Sequence, residues 1–167
     1  MIRSATAADL PVLQDIERAA GRLFRDIGMV RVAKDEPPSL GTLQTYVQDD
    51  RAWVWVREDG HPVAYVIADV IDGNGHIEQL SVNPSHARRG IGKALIEQVA
   101  RWARGKGCHA LTLTTFTEVA WNGPYYERLG FRYLPQAEWT DGLRSLRAAE
   151  AAHGLDEWPR GCMRRDL

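Results

Sequence analysis

His76-Ile77-Glu78-Gln79-Leu80-Ser81-Val82-Asn83-Pro84-Ser85-His86-Ala87-Arg88-Arg89-Gly90-Ile91-Gly92-Lys93-Ala94-Leu95-Ile96 passes from a strand into a helix across a turn that holds two glycines. Residues 77–82 read as a buried strand. From Ile91 the period becomes helical, with Ile91, Leu95, Val99 and Trp102 as an apolar stripe and Lys93, Glu97 and Arg101 as an i,i+4 charged stripe on the other side. A strand that feeds a helix through Arg88-Arg89-Gly90-Ile91-Gly92-Lys93 is suited to cradle an anion. Glycine lets the backbone approach a ligand, the first helical N–H groups point outward, and the helix dipole adds positive potential. A pyrophosphate fits such a turn, although a tight strand-to-helix turn without a ligand gives the same residues.

On the N-terminal side, Ile2 to Ser4 reads as a short strand, and Thr6 and Asp9 offer capping oxygens to a first helix carrying Val12, Leu13, Ile16, Ala20, Leu23 and Phe24. Residues 26–38 end in Lys-Asp-Glu-Pro-Pro and read as a loop. Ser39 is placed to cap a second helix with Leu40, Leu43, Tyr46 and Val47. Residues 53–56 and 63–71 are rich in β-branched and aromatic types around Asp59-Gly60, a two-residue hairpin signal, and Asp72-Gly73-Asn74-Gly75 turns into the strand of Glu78. These three strands form an antiparallel meander.

On the C-terminal side, Gly105 and Gly107 end the central helix, and residues 110–115 form a fifth strand, parallel to the fourth with a right-handed crossover. Pro124 starts a short helix that Gly130 ends, residues 131–134 form a sixth strand, residues 143–153 a helix, and residues 162–165 a last strand. The expected order is β-α-α-β-β-β-α-β-α-β-α-β.

The 167 residues, 44% of them hydrophobic, suffice for one well-packed core, so a single domain over 1–167 is expected. No apolar run reaches membrane-spanning length and the N-terminus does not read as a signal peptide, which points to a cytoplasmic chain with no membrane partner. A net charge of −1 argues against nucleic acid. Cys108 and Cys162 have no metal-ligand spacing and read as free buried thiols, and no metal is expected.

Spacing separates the phosphate loops. A Walker loop requires glycine where Ala87 stands and a hydroxyl where Ala94 stands, and a dinucleotide fingerprint requires a third glycine where Leu95 stands. By contrast, the stretch from Asn83 to Ile96, with Tyr126-Glu127-Arg128-Leu129-Gly130-Phe131, resembles the GNAT superfamily of acyl-CoA-dependent N-acetyltransferases. Gly90 and Gly92 match the family's cofactor loop, while Ala87 stands at its Gln/Arg position. The resemblance implies an α/β (α+β) fold: a mixed, mainly antiparallel sheet of about seven strands with helices on both faces, strands four and five parallel and splayed.

It also implies acetyl-CoA as cosubstrate, its pantetheine against Leu80, Ser81 and Val82, its phosphates on Arg88, Arg89, Gly90, Ile91, Gly92 and Lys93, and the acyl arm in the gap between the splayed strands. A backbone N–H near Val82 would polarise the thioester. Asn122 is either the asparagine that touches pantetheine in such proteins or a helix cap. Tyr126 matches the family's general acid, with Tyr125 beside it as the confounding neighbour.

The reaction needs a base for a primary amine that is mostly protonated at neutral pH. Glu78 and His76 are the candidates; both lie on one face of their strand by the period-two rule, and solvent exposure or structural pairing is the alternative for each. For the acceptor, the resemblance implies walls at residues 26–38 and 134–159, where Asp35 and Glu36 either attract a cationic amine or are solvated. Trp121, Trp139 and Trp158 line the pocket or pack structurally. The implied function is acetyl transfer to the amine of a small molecule or peptide, in a protein that is often a homodimer within the family. A non-catalytic coenzyme A-binding module and a longer-chain N-acyltransferase are the alternatives.

Overall fold

The computed structural model describes residues 1–167. In chain order the elements are β1 (Ile2–Ser4), α1 (Leu10–Gly21), α2 (Val30–Ala33), α3 (Leu40–Gln48), β2 (Ala52–Val56), β3 (Pro62–Ile71), β4 (Asn74–Val82), α4 (Ile91–Gly105), β5 (Ala110–Phe116), α5 (Gly123–Arg128), β6 (Arg132–Tyr133), α6 (Asp141–Ala152) and β7 (Arg160–Asp166). The seven strands are ordered β1-β2-β3-β4-β5-β7-β6. All resolved ladders are antiparallel except β4 with β5, which is parallel. That parallel ladder holds only Gly75↔Leu111 and His76↔Thr112, as expected for strands that diverge. No helix is long and apolar enough to cross a membrane.

The chain divides into two compact units. The first comprises Met1–Ala68 and Gln79–Gln98. Here Leu10, Leu13 and Ile16 bury one face of α1 together with Leu43 of α3 and Val54 and Ile67 of the sheet. The start of α1 is anchored by Asp9, whose carboxylate accepts from the Thr6 N–H at 2.8 Å and from Arg3 at 2.7 Å. Ser39 caps α3 by accepting from the Thr42 N–H at 3.1 Å.

The second unit comprises Asp69–Glu78 and Val99–Leu167. Leu134, Leu143 and Cys162 form a buried cluster there with Trp139 and Leu146 against it. Two glycines set its packing distances. A Cβ on Gly75 would lie 2.7 Å from that of Ala103, so only glycine lets β4 approach α4 this closely. Gly142, in the first turn of α6, would meet Ile71 in the same way, and its N–H donates to Asp72 at 2.8 Å.

Several boundaries differ from the sequence reading. α1 ends at Gly21, and Leu23 and Phe24 fall in a 3₁₀ stretch that Gly28 closes at φ +80. Residues 26–38 are not all loop, since α2 forms one turn of helix before Pro37 and Pro38. The β2–β3 loop is a three-residue connection: Arg57 N–H donates to the His61 carbonyl, Gly60 N–H to that of Arg57, and Gly60 sits at φ +83. β6 is only two residues long, because Pro135 supplies no N–H to continue it. α6 starts at Asp141, where the Thr140 hydroxyl accepts from the Leu143 N–H, and β7 runs longer than expected and inserts between β5 and β6.

Candidate active site

In the second unit, alternation along β4 puts His76 and Glu78 on one face. His76 is buried at 2% exposure, its Nδ1 2.8 Å from the Thr112 hydroxyl of β5 and its Nε2 3.9 Å from Glu78 Oε2. Burial lowers the imidazole pKa to about 4, against the opposing pull of Asp69 and Glu150, so the ring is neutral at neutral pH. The Glu78 side chain keeps 39% of its surface open. Desolvation, then the charges of Asp69 and Glu150, raise its pKa to about 7. A carboxylate half-ionised near neutral pH is matched to proton transfer from an amine.

Glu150 went unnoticed in the sequence. It comes from α6 and receives three donors: the Thr114 hydroxyl at 2.6 Å, Arg147 at 2.9 Å and Arg160 of β7 at 3.0 Å. Arg147 also donates to Asp156 at 2.7 Å. The signals were Thr112-x-Thr114, two hydroxyls on one face of a strand by the period-two rule, and Arg147 with Glu150 at i,i+3. Neither tells which partner each side chain finds.

Tyr126 of α5 is buried, packed edge-on against Tyr125 at 5.4 Å and Phe131 at 5.8 Å between ring centroids. Tyr125 is half-buried. Asn122 occupies the N-cap position of α5, but its side chain makes no capping bond; only its carbonyl accepts, from the Tyr126 N–H at 3.0 Å. Trp139 has a structural role, donating to the Leu134 carbonyl at 3.2 Å beside Leu143 and Cys162. Trp158 packs edge-on to Phe116, and Trp121 is half-buried. Cys108 and Cys162 are free buried thiols, and no group of three or more His, Cys, Asp or Glu could hold a metal ion.

The glycine turn lies in the first unit. Arg88 and Gly90 adopt left-handed φ of +61 and +76, and the first α4 bond runs from the Ala94 N–H to the Gly90 carbonyl. The N–H groups of Ile91, Gly92 and Lys93 therefore lie in the helix's opening turn, where no intrahelical acceptor exists. The space where a Gly90 Cβ would project is open, Gly92 is buried, and Arg88, Arg89 and Lys93 are exposed around the turn. These residues fit a pyrophosphate. Leu80 and Val82 of β4 are half-buried. The Ser81 side chain is committed elsewhere, donating to Glu17 of α1 and accepting from Gln79 at 3.1 Å. Tyr65 donates to the same Glu17 carboxylate at 2.9 Å. Burial raises the Glu17 pKa against these two donors. Asp35 and Glu36 are exposed just beyond α2.

A glucosamine 6-phosphate N-acetyltransferase from Trypanosoma brucei brucei is 43% identical over 58 residues, 35% of this chain and 37% of that protein, so the match spans well under half of the relative. The structure of Rv2747 from Mycobacterium tuberculosis, solved with CoA, superposes with a TM-score of 0.71 at 20% identity, covering 100% of this chain and 99% of the other. N-acetylglutamate synthase from Neisseria gonorrhoeae, solved with coenzyme A and N-acetyl-glutamate, gives 0.70 at 19% identity, this chain spanning 35% of it. At such identities these two structures establish the fold. The sequence pattern of the Acetyltransferase (GNAT) family matches residues 14–131, and with most of its length matched, the chain belongs to that family.

Proposed function

We propose that the protein is an N-acetyltransferase that moves the acetyl group of acetyl-CoA to a primary amine of a small molecule or peptide, by direct attack in a ternary complex. The observation that carries this reading is Glu78, a partly open carboxyl raised to about 7 beside a buried neutral histidine. Glu78 takes the proton of the incoming ammonium, the freed amine nitrogen bonds to the acetyl carbonyl carbon, and the carbon–sulfur bond breaks. The backbone N–H near Val82 meets the charge developing on the carbonyl oxygen. Tyr126 gives its proton to the departing thiolate and is reprotonated by the second proton that the nitrogen sheds as the amide forms. His76, neutral and held by Thr112, orients and shields Glu78 instead of acting as the base.

The backbone of Gly90–Lys93 holds the pyrophosphate, with Arg88, Arg89 and Lys93 supplying positive charge, and Leu80, Val82 and Asn122 meet the pantetheine. The negative charges of Asp69 and Glu150 around Glu78 favour a cationic acceptor. We assign the chain one catalytic domain, and its buried free thiols suit a reducing cytoplasm. The test is an assay of free coenzyme A release across an amine panel with acetyl-CoA. At least one amine should release thiol well above the hydrolysis rate. A protein that binds acetyl-CoA and acetylates none of the panel is a coenzyme A-binding module, and the catalytic reading falls.

A further inference from the structure

Glu17 of α1 is a titratable group that the acetyl-transfer chemistry leaves unused, yet it is bonded directly to β4. Its Oε2 accepts the Ser81 hydroxyl of β4 and, at 2.9 Å, the Tyr65 hydroxyl of β3. Ser81 and Tyr65 are buried, and Gln79 Nε2 donates to Ser81 Oγ at 3.1 Å, so the serine hydroxyl is engaged both as donor and as acceptor. Around these bonds the contact of α1 with the sheet is apolar, formed by Leu13, Ile16, Tyr65 and Ile67. A carboxylate withdrawn from water costs free energy that an apolar side chain of similar size does not. Packing alone would be served better by leucine.

The backbone beside Ser81 shows what the hold is for. The Asn83 N–H donates to the Val63 carbonyl of β3 at 2.8 Å. Successive N–H groups of a strand point to opposite edges, so the Val82 N–H is directed away from β3. On that edge β4 pairs with β5, and their ladder has already ended at His76↔Thr112. The Val82 N–H therefore has no strand partner, which is the condition for a donor that meets a thioester oxygen. It belongs to the peptide that follows Ser81, so whatever fixes the Ser81 side chain fixes the Cα from which this N–H projects.

We propose that Glu17 is a positioning residue for acetyl transfer: by gripping Ser81 and Tyr65 through one carboxylate oxygen, it fixes the peptide whose Val82 N–H receives the charge developing on the thioester oxygen. The inference rests on the reading of Val82 as that donor. Glu17 touches no reacting atom itself. Tyr65 anchors the carboxylate to β3, and Ser81 passes the restraint to β4, so that α1 and two strands are tied together at a single oxygen.

The experiment compares Glu17→Ala, Glu17→Gln and Ser81→Ala in the free coenzyme A assay, with acetyl-CoA binding measured by calorimetry. Glu17→Ala and Ser81→Ala should each lower kcat roughly tenfold, a fraction of the about 10²- to 10³-fold that loss of a whole oxyanion donor costs. The dissociation constant for acetyl-CoA should stay within about threefold, because the phosphates bind at the start of α4. The double variant should be no slower than either single one, since both changes remove the same bond. Glu17→Gln, which keeps an acceptor oxygen, should recover most of the rate. Full kcat in Ser81→Ala, a one-oxygen deletion that leaves Glu17 in place, overturns the proposal, and so do additive losses. Amide exchange gives a readout independent of turnover: the Asn83 N–H should exchange roughly tenfold faster in Ser81→Ala than in wild type. Unchanged exchange there also overturns the proposal. A wild type that acetylates no amine removes the catalytic reading and this proposal with it, whereas an active wild type beside a full-rate Ser81→Ala removes the proposal alone.

Discussion

Nε2 of His76 lies 3.9 Å from Oε2 of Glu78, and burial displaces the two groups in opposite directions, the imidazole down to about 4 and the carboxyl up to about 7. Both shifts favour the uncharged form: His76 is sealed from water, while Glu78, still partly open, is raised by partial desolvation and then by the charges of Asp69 and Glu150. For catalysis the consequence is a rate that follows Glu78. Below pH 7 the carboxyl is protonated and cannot take a proton from the amine, so kcat/KM should fall on the acid side with a midpoint near 7. Glu78→Gln should lower it about 10²- to 10⁴-fold and abolish that limb. A Gln variant that keeps the same acid limb would assign it to another group.

The same pair governs stability against pH. Glu78, raised in the folded state, contributes stability that is full below its unfolded value of about 4.5 and is lost as pH rises through about 7. His76, depressed in the folded state, acts with the opposite sign: the unfolded chain takes up its proton below about 6.5 and the folded one only near 4, so stability falls as pH drops across that window. Between about pH 4.5 and 6.5 the two slopes oppose each other. Glu78→Gln should unmask the histidine, giving a stability that increases with pH by at most about 1.4 kcal/mol per unit. Urea unfolding across that window measures it, and a slope no different from wild type would contradict the assignment.

Tyr126→Phe removes one oxygen and leaves the edge-on ring contacts to Tyr125 and Phe131 in place. Turnover should drop by about 10²-fold while the dissociation constant for acetyl-CoA stays within about twofold. Calorimetric binding beside steady-state rates separates the two effects. Unchanged turnover would return Tyr126 to a packing role.

At the cradle, Gly90→Asp forces a side chain onto a left-handed backbone at φ +76 and places a carboxylate in the anion site, and Gly92→Asp adds negative charge in the first helical turn. Acetyl-CoA affinity should fall at least tenfold in both, at a circular dichroism spectrum like that of wild type. Full affinity in either folded variant would place the pyrophosphate elsewhere.

Gly75→Val tests the close approach of β4 to α4. Its Cβ position is 2.7 Å from the Ala103 Cβ and 3.0 Å from a Leu111 methyl, so backbone or helix must move. Overpacking of this kind costs about 1–3 kcal/mol or more. Thermal unfolding should show a clearly lowered midpoint; an unchanged one would mean that the helix shifts freely.

Local chemistry made much of this protein legible in one dimension. Ser39 bonds only to its own helix start, Gly60 and Gly90 take backbone angles available mainly to glycine, and the apolar stripe of α4 is a property of its period. The face shared by His76 and Glu78 follows from strand alternation alone. For such features the deciding interactions lie within a few residues, so the sequence determined them. The turn of α2 and the three-residue β2–β3 connection were missed because several loop geometries compete within a fraction of a kcal/mol at that range.

The rest depended on contacts far apart in the chain. Which face of α6 is buried, and that Glu150 meets Thr114 across 36 positions, follows only from the docking of Gly142 and the insertion of β7 beside β5. Titration was the least accessible property. The sequence put Glu78 ahead of His76 as the candidate base, and what it could not give is the shift of each group, the imidazole down to about 4 and the carboxyl up to about 7. Residue type sets the starting value of a pKa, whereas desolvation and neighbouring charge set the final one, and both exist only after the strands and α6 have closed around the site. The sequence by itself determined the glycine turn, the strand that leads into it and the family; the tertiary structure alone decided how burial and neighbouring charge shift His76 and Glu78.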